Sequence, residues 1–122
     1  MTVNAYSRAG ELAANPRETE YRAFGMVINR MSQAESHTGV VEACHLNNRL
    51  WSALTADLSR PENPLPNDLK ARLISLALWT YRYSAKVMSG EASPQPLIDL
   101  NREIMAGLKG SGAMQPEMQL AH

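Results

Sequence analysis

Cysteine and long apolar runs are nearly absent from this sequence. The single cysteine, Cys44, cannot form a disulfide within the chain, which agrees with a reducing compartment. The N-terminus has no basic stretch followed by an apolar one, so no signal peptide is indicated. The unbroken apolar runs fall far short of the roughly 20 residues that cross a bilayer. We therefore expect a soluble, cytoplasmic protein that does not act in a membrane.

An excess of charge of either sign is also missing. Twelve basic residues balance twelve acidic ones, so the net charge is zero when the histidines are neutral. A neutral chain has no overall field that attracts phosphate backbones, and nucleic acid is therefore not an expected partner. The 122 residues suffice for one domain that buries roughly two-thirds of its unfolded surface.

Residue sets that perform catalysis or hold a metal ion are not evident. The three histidines are scattered, and the adjacent Cys44 and His45 would point about 100° apart on a helix, away from a common metal. The Cys44 thiol lies on an apolar stripe, where a thiol is usually inert. No glycine-rich phosphate loop follows a strand. We expect neither an enzyme nor a protein with a metal, a cofactor or a small-molecule substrate.

Helical periodicity punctuated by proline and glycine is what the sequence does contain. Pro16 follows the capping residue Asn15 and opens the first of four predicted helices. Residues 36–39, the proline-rich segment 61–66 and Gly90 separate these helices, and Gly107 and Gly110 close the last. The predicted helices cover residues 16–35, 40–59, 66–89 and 94–108.

No segment alternates with the period of two that is typical of a strand. A short, weakly amphipathic helix is predicted between Tyr6 and Ala13, before the four main helices. The expected fold is therefore all-α, a compact bundle of about four main helices plus this short N-terminal helical segment. One domain over 1–109 and a flexible tail over 110–122 are predicted.

An asparagine interrupts the apolar stripe of two helices. Asn47 lies within the stripe of the second helix and Asn101 within that of the fourth. A buried amide without a partner costs on the order of 1–3 kcal/mol, so both need partners. One interpretation is structural: the amides bond each other or tie down the proline-rich segment. In the alternative, they face a groove and bind the main chain of a partner.

The third helix has an apolar stripe wider than half its circumference, which predicts a central helix with several neighbours. Its remaining face is basic and carries Arg72, Arg82 and Lys86, with Trp79 in the middle. An exposed tryptophan beside arginines is typical of an interface hot spot. In the alternative, the N-terminal or the proline-rich segment covers Trp79, and an arginine stacks on its ring.

Four segments carry a family resemblance. They read "NAYSRAGELAANPRETEYRAF", "NRLWSALTADLSRPENPLP", "LKARLISLALW" and "PLIDLNREIMAGL", in that order along the chain. Together they cover about residues 4–108 and resemble the FlaF family of flagellar biosynthesis regulators. They consist of packing and turn residues rather than a catalytic signature, and the tail after Gly110 lies outside them.

The resemblance implies a cytoplasmic accessory protein of flagellum assembly that is needed for flagellin production and export. It implies that the protein binds flagellin before secretion. It also implies a second partner, the regulator FlbT, which controls the translation of flagellin mRNA.

The first functional hypothesis is a flagellin-binding export chaperone. Before assembly, the terminal segments of flagellin lack the neighbours that cover their apolar faces, so a groove of apolar helix faces suits them. The groove would be built from the second, third and fourth helices. Its expected anchors are Trp79 and Trp51, with Leu50, Leu76 and Ile98 beside them.

The second hypothesis is a post-transcriptional regulator of flagellin synthesis. It would contact RNA or a translation factor through Arg72, Arg82, Lys86 and Trp79, because a basic face with one aromatic can stack a single-stranded base. The zero net charge disfavours it. A third hypothesis is an adaptor that binds FlbT alone.

Overall fold

The computed structural model describes residues 16–110, with side chains from residue 19 to residue 107. This part of the chain consists of helices and links without a strand, which confirms the predicted all-α bundle. The predicted helix before residue 16 lies outside the described residues. None of the described helices has the length and apolarity to cross a membrane. The helices are α1 (Pro16–Gln33), α2 (His37–Leu58), α3 (Asn67–Met88) and α4 (Gln95–Gly110).

The second helix begins earlier than predicted. Residues 36–39 were expected to connect two helices, but α2 already starts at His37. Ser36 has an extended backbone, and its Oγ accepts a hydrogen bond from the Gly39 amide at 3.0 Å. A serine cap of this kind satisfies one of the unpaired amides of the first turn. The cap outweighs the weak helix propensity of Gly39.

Glycine ends one helix and is tolerated in another. Gly90 follows α3 with a φ of 85°, the left-handed conformation that disfavours side chains, which confirms the predicted stop. The prediction that Gly107 helps to close the last helix is wrong, because α4 continues to Gly110. A glycine inside a helix costs only about 1 kcal/mol relative to alanine. The packing of α4 against α1 offsets this cost.

The helices pack in the order α3–α2–α1–α4. α2 contacts both α1 and α3, and α1 also contacts α4, whereas α3 and α4 touch each other at few points. The prediction that the third helix is central is therefore wrong. Its wide apolar stripe includes Ile74 and Leu78, which are 36% and 49% exposed. A seam between α3 and α4 remains open.

Two apolar clusters fill the interior, and every helix contributes to both. The first contains Phe24 and Trp51, whose rings meet edge to face with centroids 5.8 Å apart. The second contains Cys44 and Leu97. Along each helix the residues of one cluster precede those of the other, so the clusters are stacked along the bundle axis.

Fully buried polar side chains lie between the two clusters. On α2, α3 and α4, each of them falls between a residue of the first cluster and a residue of the second. We call this set the polar layer. It consists of Asn47, Thr80, Ser84 and Asn101.

Candidate protein-binding groove

An open groove of about 440 Å³ lies along the seam between α3 and α4. It forms because α3 packs on α2 and α4 packs on α1, which leaves the facing sides of α3 and α4 largely uncovered. On each helix the lining residues are three or four positions apart, and they therefore share one face. The groove is lined by Leu76, Trp79, Pro96, Asp99, Leu100 and Glu103. Leu76 and Trp79 were predicted to line it.

Trp79 is the aromatic side chain of this groove, and it is 38% exposed. Its ring stacks on Tyr83, one turn further along α3, with centroids 5.0 Å apart and planes 14° apart. The Tyr83 hydroxyl donates to the Ser93 carbonyl in the link to α4 at 2.8 Å. The alternative interpretation expected an arginine to stack on the Trp79 ring, but in the structure Tyr83 occupies that position. An ordered ring loses less entropy when a partner binds.

Basic residues of α3 follow the same side of the helix as Trp79. Arg72, Arg82 and Lys86 are exposed, as expected. They lie seven positions before, three after and seven after Trp79, spacings that place side chains near one another on a helix surface. The α3 side of the groove is therefore bordered by positive charge.

The α4 side of the groove is acidic. Asp99 and Glu103 are exposed, and both line the groove. Asp99 Oδ1 accepts a hydrogen bond from Gln95 Nε2 at 2.8 Å. Within residues 19–107, no ion pair joins Glu103 to a basic side chain. The groove thus separates a basic border on α3 from an acidic border on α4.

Trp51 and Ile98 do not reach the groove, contrary to the prediction. Trp51 is fully buried: its ring contacts Phe24, and its Nε1 donates to Asn101 Oδ1 at 3.0 Å. Ile98 is buried in the second cluster, and Leu50 is half-buried against both clusters. Helical periodicity placed these residues on apolar stripes correctly. It could not distinguish a stripe that faces the core from one that faces a groove.

The α4 border was missed by sequence reasoning. Leu100 was assigned only to the apolar stripe of its helix, while Pro96, Asp99 and Glu103 were not singled out. A signal for them exists, because Pro96 and Glu103 are four positions before and three after Leu100, on the same face. This spacing indicates one side of a groove only because α3 lies opposite it. The position of α3 is set by the tertiary packing, which the local sequence does not specify.

The two buried asparagines contact each other. Asn101 Nδ2 donates to Asn47 Oδ1 at 2.7 Å. This is the amide–amide hydrogen bond that the structural interpretation predicts, and Trp51 is an additional partner that was not foreseen. Both asparagines are fully buried in the polar layer, so they do not line the groove.

Cys44 is a core residue of the second cluster. Burial raises the pKa of its thiol, because the thiolate would lose its hydration. The neighbouring His45 is exposed. In the described part of the chain, no three His, Cys, Asp or Glu side chains are grouped so that they could hold a metal ion.

Comparison with known proteins relates this chain to one family. The family model described as flagellar protein FlaF matches residues 2–108, which include every residue of the groove. Searches of curated proteins and of solved structures gave no significant match. A match over this much of the chain is sufficient to assign the family. The chain belongs to the FlaF family of flagellar proteins.

Proposed function

We propose that this protein binds flagellin in the cytoplasm and acts as an export chaperone and regulator of flagellin production. The observation that carries the proposal is the position of Trp79, a large apolar side chain held ordered at the edge of an open groove. Family membership links the protein to the flagellum. The groove provides a surface on which a flagellar partner could dock.

The groove suits an amphipathic helix. Leu76 and Leu100 provide apolar surface from its two sides, and Trp79 adds a flat ring beside them. A helix laid into such a groove buries its apolar stripe and keeps its polar side in water. The terminal segments of unassembled flagellin present a stripe of this kind.

Regulation through RNA is less well supported. Phosphates approaching Arg72 and Lys86 would also meet the carboxylates of Asp99 and Glu103 across the groove. Tyr83 already covers one face of the Trp79 ring, which leaves less of it for a base. Regulation through FlbT would use a protein surface, so FlbT is the second partner to test.

Isothermal titration of the full chain with purified monomeric flagellin tests the proposal. We expect saturable binding that falls by less than about fivefold between about 50 and about 300 mM salt, because docking of apolar surfaces is only weakly screened. Binding of a single-stranded RNA would instead fall steeply over this range. No flagellin binding at either salt concentration would overturn the proposal. Binding of FlbT alone would replace it with the adaptor role.

Two neighbouring substitutions test whether Trp79 is the anchor. Trp79→Ala should weaken flagellin binding at least about tenfold, as truncation of an aromatic hot spot does. Leu78→Ala is the matched control, because Leu78 is an exposed apolar residue about 100° away on the same helix. It should change the affinity less than about twofold. Equal effects of the two variants would contradict the anchor assignment.

The folded state of both variants can be checked by urea denaturation. Leu78→Ala should change the free energy of unfolding by less than about 1 kcal/mol, because Leu78 is exposed. Trp79→Ala should lower it by about 1–2 kcal/mol, because the variant also loses the stack on Tyr83. If Trp79→Ala unfolds the protein, Trp79 is a core residue and cannot be assigned as an anchor.

A further inference from the structure

The two borders of the groove carry opposite charges that do not neutralise each other. Arg72 and Lys86 lie along the same side of α3 as Trp79, and Asp99 and Glu103 line the α4 side. No ion pair crosses the groove between described residues. These charges therefore remain available to a molecule that lies between them.

We infer that the groove selects a helix with charges of opposite sign on its two flanks. The acidic flank would face Arg72 and Lys86 on α3, and the basic flank would face Asp99 and Glu103 on α4. Between the flanks, an apolar stripe would cover Leu76, Trp79 and Leu100. The inference rests on the proposed function, because it specifies the segment of the partner that the groove accepts.

The same arrangement sets the direction in which the helix lies. Turning a helix end for end, with its apolar stripe kept on the groove, exchanges its left and right flanks. A helix with one acidic and one basic flank therefore makes attractive contacts in one direction and repulsive contacts in the other. Direction is selected by charge, while the apolar contacts supply most of the attraction.

Two synthetic peptides of about 18 residues, or five helical turns, test the inference. Both have the same composition and the same leucine stripe. One has glutamates on one flank and lysines on the other, and the second has the signs mixed on both flanks. Neither contains tryptophan, so a change in the tryptophan fluorescence of the protein reports contact at the exposed Trp79, while the buried Trp51 contributes a constant background. At low salt the segregated peptide should bind about fivefold tighter than the mixed one, and about 0.5 M salt should remove the difference.

Charge-reversal variants of the protein provide a second test of the inference. Reversal of the α3 border (Arg72→Glu with Lys86→Glu) and reversal of the α4 border (Asp99→Lys with Glu103→Lys) should each weaken binding of the segregated peptide by about three- to fivefold, because each makes the two borders alike in sign. The fourfold variant combines both pairs of substitutions, so its borders are exchanged, and it should bind the segregated peptide within about twofold of the original protein, with the peptide reversed. Arg102→Glu is the matched control, since Arg102 is exposed, adjacent to Glu103 and directed about 100° away. It should have no effect.

A spin label on the amino end of the peptide reports its direction. It should broaden the amide NMR signals of one end of α4 in the original protein and those of the other end in the fourfold variant. If the signals of the same end of α4 are broadened in both proteins, the inference that charge selects the direction of the helix is overturned.

The outcomes separate this inference from the proposed function. Equal affinities of the two peptides, no binding of either peptide, or a fourfold variant as weak as the two paired variants would overturn the inference even if flagellin binds. Preference for the segregated peptide without flagellin binding would leave the inference standing and overturn the proposed function.

Discussion

The side chain of Asn101 joins α4 to α2 through Asn47, 54 residues earlier in the chain, by a hydrogen bond of 2.7 Å. Its carbonyl oxygen also accepts from Trp51 Nε1 at 3.0 Å, so one amide uses both its donor and its acceptor. All three side chains are fully buried. A sliding movement of α4 along α2 would break both bonds without replacing them, and the polar layer therefore favours one register of these helices.

Asn101→Leu should lower the free energy of unfolding by about 2–4 kcal/mol, because it leaves Asn47 Oδ1 and Trp51 Nε1 buried without their partner. Urea denaturation at 25 °C measures the change. Asn29→Leu is the control at an exposed position of α1 and should stay within about 0.5 kcal/mol. Similar values for the two variants would show that the buried network does not stabilise the fold.

Thr80→Val, also in the polar layer, should not lower the free energy of unfolding. Thr80 Oγ1 is fully buried and has no hydrogen-bond partner among the described residues. Replacing an unpaired buried hydroxyl by a methyl group removes a desolvation cost, so we expect stability to be unchanged or to rise by up to about 1 kcal/mol. Thermal denaturation beside the exposed-site control Thr38→Val tests this. A clear loss at position 80 alone would mean that the hydroxyl is satisfied.

The sequence predicted the helices well because their signals are local. Pro16 at a helix start, Gly90 at a stop and the apolar stripes each depend on a few neighbouring residues. The hydrogen bond between Asn47 and Asn101 was predictable because a buried amide must find a partner.

The groove could be predicted only in part. Trp79 stood out because it breaks the basic face of its helix, whereas Trp51 lies on a regular stripe that turned out to face the core. Asp99 and Glu103 resemble ordinary solvated charges until α3 is placed opposite them. That placement depends on α3 packing on α2 and α4 packing on α1, which no local pattern specifies.

Two glycines should respond to alanine with opposite signs. Gly90→Ala places a side chain at a φ of 85° and should destabilise the protein by about 1 kcal/mol. Gly107→Ala lies inside α4 and should stabilise it by about 0.5–1 kcal/mol through helix propensity. At both positions an added Cβ has no other atom within 4 Å. The backbone conformation at each position therefore decides whether stability rises or falls. Thermal denaturation of the two variants tests this prediction. Stability changes of the same sign would contradict it.

Cys44 should make stability depend on pH above about 9, the ordinary pKa of its thiol. Burial raises the pKa in the folded protein, so the neutral thiol contributes stability below the unfolded pKa, and this is lost as pH rises through the folded pKa. The difference in unfolding free energy between the original protein and Cys44→Ala should stay constant up to about pH 9 and then shrink. A difference that stays constant at higher pH would contradict this.

The most direct test of the central claim is site-specific photo-crosslinking to monomeric flagellin. A benzophenone amino acid would be placed at Ser75, exposed on α3 one turn before Trp79, and separately at Met26, 51% exposed on α1. Binding in the groove predicts strong crosslinking from position 75 and little from position 26. Equal crosslinking from both, or crosslinking from position 26 alone, would show that flagellin does not occupy the groove between α3 and α4.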